Sequence, residues 1–393
     1  MLIRKQILYL FVIVILSGMS VSAQGTDPAD PEQQIFRHTQ DVTPESYAAA
    51  QKGLAFLAKH QNRDGSWNGD VGFKLNQEYK VTDYSCPHPG VTALAGIAFL
   101  SGGHLPERGI YSETIARCID YILSTVRNTG FVTANNTRMY SHAFATLFLA
   151  EVYGMTHRAD VGKKLQEAVD LIVECQNKLG SWRYEPFAPE ADMSVTVCQL
   201  MALRAARNIG IKVPRSTIDR AVDYVRGSYV GKNSPYLNPR FNLFLRTPYY
   251  FIEEGSFLYQ TYSPTNNNNT GFYRSSYSLT SAGVVSLFNA GRYSEEEIRA
   301  SLDYILRKYD LVTDQWRHHY FFWYGNYYAV QAMYIAGGSY WNAYYPRIRR
   351  ELISSQRSSG YWENTDGPGE NFATAVAIII LQIPFNYLPI FQR

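Results

Sequence analysis

Hydrophobic positions along this chain recur with the 3.6-residue period of an amphipathic α-helix. Six segments have an apolar stripe on an otherwise polar surface, which predicts helices that pack at the outside of a fold. They are residues 45–61, 112–126, 161–176, 216–229, 294–309 and 341–356.

These segments alternate with six that are apolar nearly all round, and most of the six end at glycine, a common helix stop. They are residues 90–102, 141–154, 193–210, 278–291, 326–337 and 371–381. A helix that is apolar on all sides is expected to be buried. The alternation therefore predicts an all-α fold, a single (α/α)6 toroid of six helical hairpins with the apolar helices in the middle. An open superhelical solenoid is the alternative, but the count of six and the absence of a polar capping repeat favour closure.

A turn with the pattern Gln-x-x-x-Gly-x-Trp occurs three times, at 61–67, 176–182 and 356–362. Glycine permits the tight backbone, glutamine can satisfy the last carbonyls of its helix, and tryptophan can lie over the neighbouring hairpin. Because the turn recurs with the period of the helices, we interpret it as structural.

These turns and the six hairpins resemble the QW repeats of the squalene–hopene cyclase and protein prenyltransferase superfamily, also called the terpenoid cyclase superfamily. The resemblance extends from residue 45 to the C-terminus, and is closest to secreted single-toroid proteins with prenyltransferase or squalene oxidase repeats. It implies an α/α toroid around a largely apolar cavity, which would accept a hydrophobic isoprenoid-like molecule.

The resemblance also supplies candidate catalytic residues. Class II terpene cyclases carry an Asp-x-Asp-Asp motif whose middle aspartate protonates an alkene or epoxide. The matching residues here begin at Glu190, place Asp192 at the proton donor and put Met193 where the last aspartate would be. In the alternative interpretation, Asp192 only caps the following helix and Glu190 only favours the positive end of its dipole.

The superfamily's zinc ligands have no counterpart here. Protein prenyltransferases bind zinc through Asp, Cys and His, with Asp and Cys one residue apart, and this chain has no Asp-x-Cys. The adjacent His318 and His319 would point apart on a regular backbone. We therefore expect no metal and no cofactor.

The chain has four cysteines, three of them within helical patterns, where a buried free thiol is the commoner state. Disulfides are the alternative in an oxidising compartment. The four are Cys86, Cys118, Cys175 and Cys198.

Aromatic and histidine residues precede or begin the apolar segments, and on a ring they would meet at one opening. We predict that they bind the ligand, since aromatic faces suit carbocations and also isoprenoid, sterol-like or sugar molecules. For any single one, core packing is the alternative. The predicted ligand-binding residues are His88, Tyr140, His142, Tyr273, Tyr277, His319, Trp323, Tyr324 and Tyr327.

The first 23 residues have the pattern of a signal peptide: a basic start, an apolar run at 7–16 and a small-residue site ending at Ala23. We predict a secreted or periplasmic protein with a flexible lead at 24–42 and one toroid at 43–393. A long link within it, at about 231–274, is expected to be a lid or binding loop, with a disordered insertion as the alternative.

Removing this signal takes away two basic residues and no acidic ones, so the formal net charge falls from +3 to +1. Such a neutral surface gives no electrostatic basis for binding nucleic acid, and the apolar run is too short for a stable membrane span. The oligomeric state stays open.

Two hypotheses for the function follow. The first is a terpenoid cyclase-like isomerase that starts its reaction by protonating a polyprenyl or triterpenoid substrate through Asp192. The second is a non-catalytic secreted toroid that binds a hydrophobic or glycan ligand.

Overall fold

The computed structural model describes residues 41–75, 78–238, 252–261, 274–291 and 293–391. The predicted signal peptide, nearly all of the predicted lead and much of the long link lie outside them. The described residues form twelve α-helices, numbered here in chain order. The odd-numbered helices are α1 (Pro44–Lys59), α3 (Ser112–Ser124), α5 (Ala159–Glu174), α7 (Arg215–Gly227), α9 (Glu295–Trp316) and α11 (Gly338–Ser355). The even-numbered helices are α2 (Pro89–Ser101), α4 (Met139–Tyr153), α6 (Met193–Asn208), α8 (Tyr277–Ala290), α10 (Tyr320–Ala336) and α12 (Glu370–Gln382).

The even-numbered helices form a closed inner ring, in which each packs against the next and α12 packs against α2. Each odd-numbered helix packs outside the even-numbered helix that precedes it around the ring, so that α1 packs against α12 and α3 against α2. The hydrophobic pattern explains the division, because every residue of α2 is buried, whereas α3 buries only the residues of one face. The predicted all-α toroid is confirmed, and the open solenoid is excluded.

The three Gln-x-x-x-Gly-x-Trp turns, called turn clamps below, tie neighbouring hairpins together through the same hydrogen bonds. In the first, Nε2 of Gln61 donates to the carbonyls of Gly65 (3.0 Å) and of Thr114 (2.8 Å) in the next outer helix. Nε1 of Trp67 donates to the carbonyl of Leu57 at 2.8 Å, in the helix that precedes the turn. The glutamine therefore reaches the next hairpin, which we did not expect, while the indole N–H of the tryptophan bonds within its own hairpin.

The third turn clamp closes the ring. Nε2 of Gln356 donates to the carbonyl of Ala49 in α1 at 2.9 Å, across 307 positions of sequence. A Cβ atom on Gly360, which has a φ of +104°, would lie 2.6 Å from the carbonyl oxygen of Lys52. Only glycine permits this close approach between the last turn and the first helix.

Two further glycines make the same approach without the rest of the motif. Gly130 and Gly255 have positive φ, and a Cβ on either would meet a carbonyl oxygen of the next outer helix at 2.1 Å and 2.4 Å. The turn at Gly255 places Phe257 where the turn clamps place tryptophan. These two turns are degenerate copies that the sequence pattern did not reveal.

An antiparallel hairpin was not predicted from the sequence. Strands β1 (Asn68–Leu75) and β2 (Glu78–Pro87) lie between α1 and α2, and the hairpin reaches across to other repeats. The amide of Tyr79 donates to Oδ1 of Asp366 at 2.7 Å, and Nδ2 of Asn135 donates to the carbonyl of Pro87 at 2.8 Å. The hairpin thus covers the end of the ring where the inner helices begin.

Helix α9 is also longer than the predicted segment 294–309, since it continues to Trp316. Only residues 317–319 connect it to α10, so the link within this hairpin is short. The additional turns bring Leu311 and Val312 to the same covered end of the ring.

All four cysteines are unbridged, and three of them are buried. None of the helices in the described part of the chain has the length and apolar character needed to cross a membrane.

Candidate ligand cavity

Four inner helices begin with a side chain that accepts a hydrogen bond from their first amides. The capping residues are His88 for α2, Asp192 for α6, Ser276 for α8 and His319 for α10. Such caps satisfy amides that have no partner inside the helix. Asp192 therefore occupies a position where other repeats also place a capping side chain.

A cavity of about 240 Å³, called the main cavity below, lies among these helix ends. Its walls combine aliphatic and aromatic side chains from the inner helices, the hairpin and α9. Among them are Leu94, Phe144, Leu279, Val312, Tyr324 and Phe372. The predicted apolar hollow is therefore present, at the capped end of the ring.

Asp192 is fully buried but does not line the main cavity. Its Oδ1 accepts hydrogen bonds from the amides of Ser194 (2.9 Å) and Val195 (3.2 Å), and from Oγ of Ser194 at 2.5 Å. Its Oδ2 has no hydrogen-bond partner, and the nearest cation, Nη1 of Arg183, lies 3.9 Å away. One oxygen thus serves as the helix cap, and the other makes no hydrogen bond.

Two pairs of hydroxyl groups separate Asp192 from the main cavity. Oγ of Ser194 lies 2.5 Å from the hydroxyl of Tyr140, and the hydroxyls of Tyr184 and Tyr259 are also 2.5 Å apart. All four residues line the cavity. Burial, and next the charge of Asp192, raise the pKa of the Tyr140 and Tyr259 hydroxyls well above the usual value. These hydroxyls therefore stay protonated, and Ser194 with Tyr140 connects the buried carboxyl group to the cavity by hydrogen bonds.

The charged residues of the cavity wall are all cationic. Lys74, Arg138, Arg274 and Lys308 line it, and no aspartate or glutamate does so in the described part of the chain. His88 also lines the cavity, and burial lowers the pKa of its imidazole to about 4, so it is neutral at physiological pH.

Of the residues predicted to bind the ligand, four line the main cavity: His88, Tyr140, Tyr277 and Tyr324. Four others, together with the two candidate catalytic residues, do not line it: His142, His319, Trp323, Tyr327, Asp192 and Glu190. Tyr273 lies outside the described residues.

The residues away from the cavity make contacts that hold the scaffold. Nδ1 of His142 accepts a hydrogen bond from the amide of Val132 at 3.1 Å. In the turn clamps, a threonine hydroxyl accepts the equivalent bond from the amide of the tryptophan. Nε2 of His319 lies 3.0 Å from Oδ2 of Asp366. Nε1 of Trp323 donates to the carbonyl of Glu363 at 3.2 Å.

Sequence reasoning missed the cations and most of the hydroxyl-bearing residues of the wall. Lys74 lies on the unpredicted hairpin, where alternation of Val71, Phe73 and Leu75 was an available signal for a strand. Tyr259 and Arg274 belong to the long link, whose aromatic content indicated a binding role but not which residues would reach the cavity.

In the described part of the chain, three or more His, Cys, Asp or Glu side chains never come together in a way that could hold a metal ion. A second cavity, of about 200 Å³, lies at the opposite ends of the inner helices. Its lining includes Glu151, Arg204 and Asn289. Burial raises the pKa of the Glu151 carboxyl group to about 7.

No family model matches this chain, and no curated protein matches it in sequence. Solved structures do share its fold. The type II terpene cyclase MstE from Scytonema is 14% identical with a TM-score of 0.55, over 88% of this chain and 99% of that one. An α-1,6-mannanase, GH76A of Salegentibacter sp. HEL1_6, is 8% identical with a TM-score of 0.58, over 87% of this chain and 99% of that one. An α-amylase from Clostridium perfringens is 9% identical with a TM-score of 0.55, over 86% and 97%.

The fold is accordingly the α/α toroid of terpenoid cyclase-like proteins, which glycoside hydrolases also use. At these identities the likeness shows the fold alone, and the function has to be argued from the cavity.

Proposed function

We propose that this protein binds an apolar, isoprenoid-like small molecule in the main cavity. The proposal rests on the composition of the cavity wall, in which aliphatic and aromatic side chains predominate. Apolar surface binds apolar ligands because both are removed from water. A structure of an MstE variant, which has the same fold, contains geranylgeranyl dihydroxybenzoate, a molecule with a long isoprenoid chain.

The same wall argues against hydrolysis of a glycan. Glycosidases of the common type place two carboxyl groups on either side of the scissile bond. The part of the main cavity that the structure describes has no Asp or Glu in its wall. The carboxyl groups that a mannanase-like reaction requires are therefore absent from this wall. Glycan binding without hydrolysis is tested by the titration described next.

Calorimetric titration with geranylgeraniol and, separately, with α-1,6-mannotriose tests the proposal. We expect saturable binding of geranylgeraniol at one site per chain and no binding of the trisaccharide. Leu94→Trp, which fills the cavity, should abolish binding while the protein keeps its helical circular dichroism. Saturable mannotriose binding without geranylgeraniol binding would replace the isoprenoid proposal by the glycan one.

A terpenoid cyclase-like isomerase is the second candidate, and Oδ2 of Asp192 is the observation that favours it. Since Oδ1 accepts three hydrogen bonds, the proton of a neutral Asp192 would sit on Oδ2. Asp192 does not line the main cavity, and the cations of the wall disfavour a carbocation nearby. Binding is therefore better supported than cyclisation.

Incubation with squalene and with polyprenyl diphosphates, read by mass spectrometry, separates the candidates. Isomeric products that disappear in Asp192→Asn would establish the isomerase. Unchanged substrate retained by the protein would establish the binding protein.

We further propose that the protein is exported, on the basis of the apolar run at 7–16 and the small-residue site at Ala23. N-terminal sequencing of protein isolated from its source should begin near Gln24. A mature protein that still begins with Met1 would contradict export through this signal.

A further inference from the structure

The second cavity lies where three inner helices end. The last turns of α4, α6 and α8 contribute to its wall, and so do Tyr387, Pro389 and Ile390, which follow α12. Carbonyl groups at the ends of helices have a partial negative charge, which favours a cation nearby. Asn208 and Tyr387 of this wall are exposed, so the cavity borders the surface of the protein.

Glu151 places a buried carboxyl group in this wall. The residue is only 6% exposed, and its Oε2 has no hydrogen-bond partner in the described part of the chain. Burial raises the pKa of the carboxyl group to about 7, while a hydrogen bond from the amide of Ile390 acts in the opposite direction. Because a buried carboxylate is costly without a compensating charge, a cationic group beside Glu151 would stabilise it.

Arg204 adds the opposite charge to the same wall. Its side chain is half-buried, and it makes no ion pair or side-chain hydrogen bond with the residues that the structure describes. Burial, and next the charge of Arg207, lower the pKa of its guanidinium group, which is nevertheless protonated at neutral pH. The planar guanidinium can donate two parallel hydrogen bonds to a carboxylate.

Glu151 and Arg204 do not neutralise each other. They line one cavity, yet neither charge contributes to the pKa shift of the other. A ligand with a cationic and an anionic group would pair with both at once. At about 30 Å³ for each water molecule, a cavity of about 200 Å³ has room for roughly six waters or for one molecule of amino-acid size.

The rest of the wall is largely apolar. Ala150, Met201 and Ile390 line it, and Nδ2 of Asn289 lies 3.2 Å from Sδ of Met201. An apolar side chain on the ligand would be removed from water against these residues.

We infer that the second cavity binds an aliphatic α-amino acid, whose carboxylate pairs with Arg204 and whose ammonium group pairs with Glu151. The ammonium group would also lie near the negative ends of the three helices, and the aliphatic side chain against Met201 and Ile390. This site is separate from the main cavity and does not depend on the proposed isoprenoid-binding function.

Calorimetry at pH 8 tests the inference, because the Glu151 carboxyl group is then mostly charged. L-Alanine, L-valine and L-leucine are titrated first. The tightest of them is then compared with the amine that lacks its carboxylate and with the acid that lacks its ammonium group. The variants are Glu151→Gln and Arg204→Met. Arg207→Met is the matched control, because Arg207 lies on the same helix but is exposed and outside the cavity wall.

We expect at least one of the three amino acids to bind saturably at one site per chain. Loss of either charged group from the probe should weaken binding about tenfold or more, as for hydrogen bonds to charged groups. Glu151→Gln and Arg204→Met should each have an effect of about the same size, and Arg207→Met should bind like the wild type. Glutamine keeps the shape of Glu151 without its buried charge, so this variant should keep its helical circular dichroism.

Binding of none of the three amino acids to the wild type would overturn the inference, whatever the variants do. Equally tight binding of the amine or of the acid would also overturn it, because one of the two charges would then contribute nothing. An affinity that Glu151→Gln and Arg204→Met retain would place the amino acid at another site. None of these results affects the proposed isoprenoid-binding function.

Discussion

The turn clamps and the wall of the main cavity lie at the same end of the hairpins, yet they differ in how their residues vary. Each turn clamp repeats the same contacts: the tryptophan Nε1 to a carbonyl at 2.8 Å, and the glutamine Nε2 to two carbonyls at 2.8 to 3.0 Å. The N-caps of the inner helices vary: histidine, aspartate and serine occur, α12 has no side-chain cap, and His88 and Ser276 line the cavity. Positions that repeat unchanged stabilise the ring, whereas positions that vary determine the chemistry of the cavity.

Asp192 combines a contact that other repeats share with one feature that they lack. Its Oδ1 performs the capping role that His88 and Ser276 perform in other repeats. Its Oδ2 has no counterpart in those caps, because it is a buried carboxylate oxygen without a hydrogen-bond partner. A role specific to this protein must therefore be sought in that oxygen.

The largest effect should come from closing the space that a turn clamp requires. Gly65→Ala places a methyl group 2.1 Å from the carbonyl oxygen of Arg117, at a φ of +88°. We expect a loss of about 3 kcal/mol or more in the free energy of unfolding, measured with denaturant. Gly210→Ala is the control, since Gly210 has a φ of +91° but open space around it, and should lose only about 1 kcal/mol. Equal losses would show that the close approach to α3 contributes nothing.

The next prediction concerns closure of the ring. Gln356→Ala removes hydrogen bonds to Ala49 and Gly360, as Gln61→Ala removes those to Thr114 and Gly65. In a closed ring both variants should lose about 2 kcal/mol, because each leaves carbonyls without partners. A much smaller loss for Gln356→Ala would indicate that the last hairpin separates from the first in solution.

Substitutions of Asp192 should distinguish the role of Oδ1 from that of Oδ2. Asp192→Asn keeps an oxygen that can cap α6, so the loss of stability should be a few tenths of a kcal/mol, while Asp192→Ala should lose about 1 kcal/mol or more. Ser276→Ala, at the cap of α8, is the matched control and should resemble Asp192→Ala. If Asp192→Asn is as destabilising as Asp192→Ala, the negative charge itself contributes to the fold.

The last prediction, and the only one of opposite sign, concerns Lys74. Its pKa is lowered from 10.5 to about 7, so between these values the unfolded chain binds a proton that the folded chain does not. Wild-type stability should therefore rise with pH across this window relative to Lys74→Met. Below pH 7 the variant should melt several degrees above the wild type, and the difference should shrink towards zero as the pH approaches 10.5.

Differential scanning calorimetry at pH 6.5, 8 and 10 measures this trend. Lys80→Met, which changes an exposed lysine of the same hairpin, should show no pH-dependent difference. If Lys74→Met is less stable than the wild type at every pH, the claim that burial of the charged Lys74 destabilises the folded protein is wrong.

Much of the fold could be predicted because the signal for it is repeated. Twelve helical segments have the right period, and the three turn clamps mark the hairpins, so errors at single boundaries did not change the architecture. The errors occurred where a segment departs from the repeat. Helix α9 extends to Trp316, and the hairpin of β1 and β2 replaces a link between α1 and α2.

The cavity wall was predicted only in part, because its composition depends on which distant segments meet. Tyr140 and Tyr324 could be anticipated, since each lies at the start of an inner helix on a ring. Lys74 reaches the same space only because the hairpin crosses to other repeats, and Lys308 only because α9 lies beside the opening. No local sequence pattern predicts that these segments come together in the fold.

The central claim is that a closed ring of hairpins surrounds a cavity that admits an apolar chain at its capped end. A crystal structure of the protein with bound geranylgeraniol tests it most directly. The account predicts electron density for the chain in the main cavity, in contact with Leu94, Phe144 and Phe372. Density only in the second cavity beside Glu151, or only on the outer surface, would contradict it.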